Sequence, residues 1–428
     1  MTRGDDGPLR APRGTQDLLP PASWEWQRLV RDALDDCARA GYLPVETPLF
    51  EHTEVFARGV GEDTDVVTKQ MYTFADRAGR SLTLRPEGTA PVVRAVIEGG
   101  LERGALPVKL AYCGAMLRQE RPQKGRFRQF SQIGVEAIGT EDPLVDAEVV
   151  ELGARVLANA GVDATLLLNS IGHLAESCRL GYLSVLRAFL QERSDELAPD
   201  DRARVATNPL RTFDSKDPAT IAVMTSAPLL TGHLCDECRA HFDAVTGALD
   251  ALGVAYSLEP RLVRGLDYYT RTAFEFVSGR LGAQNAVGGG GRYDGLAEAL
   301  GGPRLPGIGF ALGLDRIVVA RREGGVEPPP PDAVRAFFVA LDDDARAAAF
   351  RMAVRLRRAG VGADLDFAGR SMKGQLKSAA RAGARWAVIL GRRELDDGTA
   401  TVKDLVTGEQ STVPADDVVR VVAGDGSP

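Results

Sequence analysis

The sequence predicts an α+β chain: a mixed, mainly antiparallel sheet carries a helical insertion, and a small α/β domain follows it. Three observations predict this. Strand-like segments in the first part come in runs with helices between them, not in the strict alternation of a doubly wound sheet. Residues 172–253 break that pattern, being mostly helical in periodicity and poor in glycine. After the proline run EPPPPD at 327–332, strands and helices alternate to the end, as a parallel core requires. The boundaries that follow are a first domain over 1–325 with residues 172–258 inserted in it, a stiff linker at 326–332, and a second domain over 333–428.

The elements follow in order. Trp26, Leu29, Val30, Ala33, Leu34 and Cys37 have helical spacing, and Gly41 is the stop. Residues 42–50 read as extended, with Pro44 and Pro48 confining them to an edge or a short strand. Further strands are expected at 71–74, 81–84, 109–113 and 127–138, and helices at 91–98 and 147–160. After residue 258 strand signals resume at 262–263, then at 271–277 and the glycine run. In the tail, strands at 337–341, 363–367 and 386–390 alternate with helices at 344–358 and 371–382, and 399–405 pairs with 411–414 as a hairpin.

A length of 428 residues with 44% hydrophobic content allows two or three domains and a sizeable core. No run of eighteen apolar residues exists, so no membrane span is expected. The charged start MTRGDDGPLRAPRG lacks the apolar stretch of a secretory signal. Five cysteines, at 37, 113, 178, 235 and 238, read as reduced thiols of a cytoplasmic protein. A net charge of -7 argues against a general nucleic-acid binder but leaves room for local basic surfaces.

The chemistry concentrates in residues 112–136, YCGAMLRQERPQKGRFRQFSQIGVE. Arg118, Arg121, Lys124, Arg126 and Arg128 crowd a loop around Pro122 and Gly125. Behind them Phe130, Gln132, Gly134 and Glu136 alternate, and so share one face of a strand. That face offers a ring, an amide and a carboxylate beside a phosphate-seeking loop.

Four further segments stand out. In TLRPEGTAPVVRA, Glu87 and Thr89 sit in a turn entering a helix, where a carboxylate can catch an ammonium group; the plainer reading makes Thr89 an N-cap. LVRGLDYYTRTAFEF couples Arg264 with Asp267, Tyr268 and Tyr269. AVGGGGRYDGL is no P-loop, since no Lys-Ser/Thr pair follows its glycines; these instead let a backbone pass close to a ligand or a strand. GIGFALGLDR lacks the third glycine of a dinucleotide fingerprint and reads as a strand followed by a helix carrying Arg316. An arginine at a helix start opposes the helix dipole, so an anionic partner is expected for it.

Two patterns are ambiguous. In HLCDECRAH, Cys235 and Cys238 have zinc-like spacing with His233 and His241 beside them, but no second CxxC exists, so the expectation is a helix with two thiols and no metal. In the tail, Arg370, Lys373, Lys377, Arg381 and Arg385 step by three and four along one stripe. With no acid interrupting them, they read as a phosphate-binding face rather than a solvated one.

Together these segments resemble the histidyl-tRNA synthetases of the bacterial type, over nearly the whole chain. GYLPVETPLFE, LRQERPQKGRFRQF and GFALGLDR are similar to motifs 1, 2 and 3 of the class II synthetases, and RGLDYYTRTAFE and GGGGRYDGL to the two segments specific to the histidine enzyme. The resemblance implies a class II catalytic domain, an anticodon-binding tail, ATP and Mg2+, and a homodimer formed through motif 1, for which the Trp26 helix offers the apolar surface. It implies that Arg264 and Arg118 are catalytic, and that Glu87, Thr89, Arg118, Gln132, Glu136, Arg264, Tyr268, Tyr269 and Tyr293 bind histidine. ATP falls to Arg118, Glu120, Arg126, Phe130 and Arg316. The tRNA falls to Arg121, Gln123 and Lys124 at its acceptor end and to Arg370, Lys373, Lys377 and Arg381 at the anticodon. The alternative is a non-catalytic paralogue that regulates ATP phosphoribosyltransferase. The intact arginines and the tail argue against it.

Overall fold

The computed structural model describes residues 9–61, 64–123, 125–282, 285–327 and 334–424. Most of the proline linker and Lys124 lie outside these residues. The chain divides into two compact units, one of Met1–Leu18 with Trp26–Glu327, the other of Pro328–Pro428 with Leu19–Glu25.

The first unit is built on an eight-stranded sheet among the described residues, in the order Leu43–Pro44, Val108–Leu117, Gln129–Ile138, Gly307–Gly313, Ala286–Arg292, Thr270–Val277, Thr165–Ser170, Ser257–Leu258. The six inner strands pair antiparallel, and a two-residue strand adds in parallel at each edge. Residues 42–50 thus make a short edge strand, as Pro44 requires. Phe50–His52 joins a separate three-stranded sheet with Ser81–Leu84 and Tyr72–Ala75. Of the strand signals after residue 258, 271–277 and the glycine run form Thr270–Val277 and Ala286–Arg292, while 262–263 forms no strand.

The glycine run explains the close pairing at the centre. Gly288–Gly291 fall within the strand Ala286–Arg292, between two neighbours. A Cβ on Gly290 would lie on the Gly309 carbonyl and 2.8 Å from Phe310 Cα. The glycines therefore serve strand-to-strand approach.

The helix Ala22–Arg39 lays Leu29, Ala33 and Cys37 on the sheet, where they are buried beside Ile133, Val135 and Leu314. The helix Pro143–Asn159 adds Val149, Leu152 and Val156 to the same core. The apolar face of the Trp26 helix, expected to be open to a second subunit, is thus spent on the protein's own core. Its hydrophobic periodicity demanded a partner but could not say which.

Between Thr165–Ser170 and Ser257–Leu258 the chain is helical, with Arg179–Glu192 and Asp236–Leu252 the longest pieces. These pack a core of their own, including Tyr182, Leu186, Leu190 and Cys238. A buried ion pair holds the sheet near this segment. Arg292 and Asp146 are both fully buried and bonded to each other, and Asp146 also takes Thr272 Oγ1 at 2.6 Å and His241 Nε2 at 2.9 Å.

The second unit has a five-stranded sheet among the described residues, ordered Ala363–Leu365, Ala336–Ala340, Trp386–Leu390, Thr399–Asp404, Gln410–Pro414. Its first three strands are parallel and the last two form an antiparallel hairpin. No described helix is long and apolar enough to cross a membrane.

Candidate active site

The loop of residues 118–128 is a tight excursion between two paired strands. Arg118 N donates to Arg128 O at 2.8 Å, and Gln123 and Arg126 exchange backbone bonds at 3.1 and 2.9 Å. Gly125 makes the turn at φ 69, a conformation that favours glycine. Arg128 N donates to Gly14 O at 2.7 Å, so the loop leans on the segment RGTQD. Gln16 in that segment donates to Asp315 at 2.9 Å, and Asp315 also accepts from Ser131 N.

Inside the loop is a cavity of about 630 Å³, in the range of small-molecule sites. Three arginines enter it. Arg118 comes from the end of its strand, with Nε on Pro86 O at 2.8 Å and its guanidinium 5.2 Å from the centre of the Phe130 ring. Arg126 pairs with Glu120, and Arg316 opens the helix Leu314–Glu323 and donates to Ala286 O. Burial, then the charges of Arg316 and Arg118, lower the pKa of Arg126. Burial likewise lowers those of Arg118 and Arg316. Cations held together against burial and repulsion make a strong electrostatic sink for phosphates. Besides that carbonyl, the Glu275 carboxylate acts on the Arg316 charge and raises its pKa against burial.

Arg264, from the segment before the strand Thr270–Val277, lines the same cavity as a fourth arginine. Its Nη1 donates to Glu275 at 2.6 Å and its guanidinium stands 5.9 Å from the Tyr269 ring. Its Nε is buried without an acceptor, and so is Gln132 Oε1 without a donor. Buried groups left unpaired cost free energy, and at a cavity wall a ligand can supply the partner.

The polar end of the cavity is organised from below. Glu87 accepts from Thr89 N at 2.7 Å and Ala90 N at 2.9 Å, so it satisfies the first turn of the helix Thr89–Glu98. Gly88, not Thr89, occupies the N-cap position. The Thr89 hydroxyl instead donates to Glu136 at 2.7 Å, as do Tyr293 at 2.6 Å and Tyr112 at 3.3 Å. Burial pushes the Glu136 carboxyl up to about 8, against the pull of those three hydroxyls. Tyr268 packs between Tyr269 and Tyr293, with ring centres 4.6 and 5.8 Å apart.

Most of the residues expected in the site therefore meet. Glu87, Thr89, Arg118, Glu120, Arg126, Phe130, Gln132, Arg264, Tyr268, Tyr269, Tyr293 and Arg316 all line the one cavity. Glu136 lies beneath its wall, reaching it only through hydroxyls. Arg121 and Gln123 are exposed on the loop outside it. Sequence reasoning missed Asp214 and Lys216, contributed by the helical segment, as well as Glu275 and the support from Tyr112. Tyr112 had a signal, since it pairs with Gly134 across the strands. Asp214 had none.

The cationic stripe of the tail is shorter than expected. Arg370 precedes the helix Met372–Arg381 and pairs with Asp366 at 2.5 Å, and Arg385 lies beyond it and pairs with Asp404 at 3.3 Å. Lys373, Lys377 and Arg381 remain exposed on one face at steps of four. The acids that the stripe was expected to lack do hold its two ends.

Comparison with known proteins agrees with this geometry. The family model described as histidyl-tRNA synthetase matches residues 14–317, and that of the anticodon binding domain matches 335–424. The chain is 52% identical over 411 residues to the histidine–tRNA ligase of Rhodococcus erythropolis, covering 96% of each. It is 53% identical over 414 residues to that of Mycobacterium tuberculosis, covering 96% of this chain and 97% of the relative. The structure of the apo histidyl-tRNA synthetase of S. aureus superposes with a TM-score of 0.82 at 37% identity, covering 97% of this chain and 99% of that one. With a phosphate-seeking arginine cluster and a polar pocket joined in one cavity, and these matches over both units, the chain belongs to the histidyl-tRNA synthetase family.

Proposed function

We propose that this protein is a histidine–tRNA ligase. It joins L-histidine to ATP as histidyl-adenylate with release of pyrophosphate, then passes the histidyl group to the 3′-terminal ribose of tRNA-His. The observation that carries the reading is the unpartnered Nε of Arg264 in a cavity that also holds Arg118, Arg126 and Arg316. Attack of a carboxylate on an α-phosphate brings two anions together. Fixed guanidinium groups where charge develops are what that step needs. No side-chain nucleophile is required, because the substrate carboxylate attacks, and the protein's work is positioning and electrostatics.

Arg118 and Arg264 flank the α-phosphate and the histidine carboxylate. Phe130 and Glu120 take the adenine, and Arg126 and Arg316 the outer phosphates. Glu87, Thr89 and Gln132 receive the α-ammonium group, with Gln132 Oε1 offering an unused acceptor. Tyr268, Tyr269 and Tyr293, backed by Glu136, surround the imidazole. An apolar analogue would leave these polar groups unpaired, which is how such a site rejects it. ATP enters as its Mg2+ complex, and Asp214 and Glu275 are lining carboxylates of the hard-oxygen kind that this ion takes.

Arg121, Gln123 and Lys124 are assigned to the acceptor end of the tRNA, and Lys373, Lys377 and Arg381 with Arg370 to the anticodon. A homodimer through the motif 1 segment is supported by Leu43, Leu49 and Phe50, large apolar side chains left exposed there. The five cysteines are free, in keeping with a reducing cytoplasm. The domain limits are taken as 1–325, 172–258, 326–332 and 333–428. The test is pyrophosphate exchange with each of the twenty amino acids, followed by charging of tRNA-His. Histidine alone should support exchange, and exchange with none would sink the assignment.

A further inference from the structure

Cys235 and Cys238 acquire two partners that neither their spacing nor the flanking histidines indicated. His233 lies against the Tyr182 ring at 5.4 Å, and His241 is bonded to Asp146. The chain instead brings His173 and Cys178 to the pair from well upstream in sequence, His173 lying 62 residues before Cys235. One donor atom from each of His173, Cys178, Cys235 and Cys238 lies within 4.8 Å of all the others. His173 Nδ1 is 2.9 Å from Cys238 Sγ and 3.7 Å from Cys235 Sγ. The edges of a tetrahedral zinc site with sulfur and nitrogen ligands are about 3.5–3.8 Å, from bonds of about 2.3 and 2.0–2.1 Å. The Cys235 separation, 3.7 Å, falls within that edge, and the Cys238 separation, 2.9 Å, is shorter than it.

We propose that His173, Cys178, Cys235 and Cys238 form a tetrahedral structural zinc site at the neck of the helical segment. Three thiolates and an imidazole are the borderline-soft set that selects Zn2+ over Mg2+ or Ca2+. The local structure is built around the sulfurs. Gly172 adopts φ 61, and a Cβ there would stand 2.7 Å from Cys178 Sγ. Cys235 is the N-cap of the helix Asp236–Leu252 and Cys238 lies in its first turn, so one helix end carries two of the four ligands. Cys178 and Cys238 are buried, while His173 and Cys235 are partly open, which leaves an entry path.

The position gives the ion a task. Gly172 follows the strand Thr165–Ser170, where the chain leaves the sheet, and the helix beginning at Asp236 brings it back. Zinc would clamp exit to return. The same neck is tied to the histidine pocket: Ile171 N donates to Arg271 O at 2.7 Å, Arg271 N to Gly172 O at 2.8 Å, and Arg179 Nη1 to Tyr269 O at 2.7 Å. The ion is therefore a positioning element for Tyr269, not part of the chemistry.

The test uses the full-length, untagged protein, purified without added metal and dialysed against EDTA, with zinc measured by mass spectrometry. About one zinc per chain should remain. Cys235→Ser/Cys238→Ser should hold less than about a tenth of that, and His173→Cys, which keeps four ligands, should hold it fully. Cobalt in place of zinc should show intense thiolate charge-transfer absorption in the wild type, altered in His173→Cys and lost in the double variant. Thermal unfolding of the double variant should fall by several degrees, and its KM for histidine should rise more than kcat falls. A wild type with no retained zinc, five titratable thiols and no cobalt–thiolate band overturns the proposal, as does a folded double variant that keeps its zinc. Metal content is read without aminoacylation, so this result stands apart from the assignment of the active site.

Discussion

Replacing Arg264 with alanine separates the chemical step from substrate binding. In the free protein its Nη1 bonds Glu275 at 2.6 Å while its Nε has no acceptor. An acceptor arriving with the α-phosphate would gain a charge-assisted hydrogen bond, worth about 1.5–3 kcal/mol. Loss of one fixed donor at a developing oxyanion costs about 2.7–4 kcal/mol. With the guanidinium charge removed as well, the expected fall in histidine-dependent pyrophosphate exchange is about 10²–10⁴-fold. Histidine binding, followed by calorimetry, should stay within about tenfold, because Glu87, Gln132 and Tyr268 remain. The fold should lose little. The Arg264 and Glu275 side chains are 17% and 25% exposed, and breaking such a pair costs about 1 kcal/mol, read as a small shift in Tm. Exchange within tenfold of wild type, in a variant with an intact Tm, would refute the catalytic role of Arg264.

Other perturbations test other parts of the molecule. Glu136→Gln should lower kcat/KM for histidine by about 10–100-fold, since one of two buried acceptor oxygens becomes an NH2 facing the hydroxyls of Thr89 and Tyr112 or that of Tyr293. Its pH signature is separate: a carboxyl raised to about 8 contributes stability that is fully present below its ordinary range and lost as pH rises through 8. The wild type should therefore lose Tm relative to Glu136→Gln as pH rises from 4.5 to about 8 and level off above that, and parallel curves would show that Glu136 does not titrate there. Gly290→Ala should destabilise the first unit by about 3 kcal/mol or more, because its Cβ meets backbone on the next strand; an unchanged denaturation midpoint would count against the register described. Lys373→Ala/Lys377→Ala/Arg381→Ala should raise KM for tRNA about tenfold or more and flatten its salt dependence by about three phosphate contacts, with pyrophosphate exchange unchanged. Unaltered charging kinetics would remove that face from the anticodon interface.

What could be read from the sequence had a short period or a local rule. Phe130, Gln132 and Glu136 sit on one strand, so alternation alone gave their shared face, and the loop before them announced itself by Pro122 and Gly125. Asp366 and Arg370 are also local, four residues apart, and their pairing was open to inspection. Asp404 was not, because it meets Arg385 only through the pairing of Trp386–Leu390 with Thr399–Asp404. The Trp26 helix shows the same limit. Its apolar stripe is plain, but a stripe fits a sheet as well as a second subunit. Asp214 and Lys216 reach the cavity from a segment with no periodic relation to the arginines, and His173 joins Cys235 across 62 residues. No spacing rule spans such distances, so only the fold reveals them.

The glycines show how such distant groups are made to meet. A Cβ on Gly309 would overlap the Glu136 carboxylate, one on Gly307 the Tyr293 ring, and one on Gly289 would stand 2.9 Å from Arg264 Nη1. One on Gly88 or Gly134 would enter the Tyr112 ring. Each glycine faces a long polar side chain from a neighbouring element and yields the space that side chain occupies. The strands Ala286–Arg292 and Gly307–Gly313 carry few catalytic groups themselves, yet they decide how deep the others can sit. Depth in turn sets the electrostatics, since burial is the largest influence on Glu136, Arg118 and Arg126 alike. A methyl group at Gly309 should thus act on the chemistry without touching a substrate, by forcing Glu136 out of the position where three hydroxyls hold it.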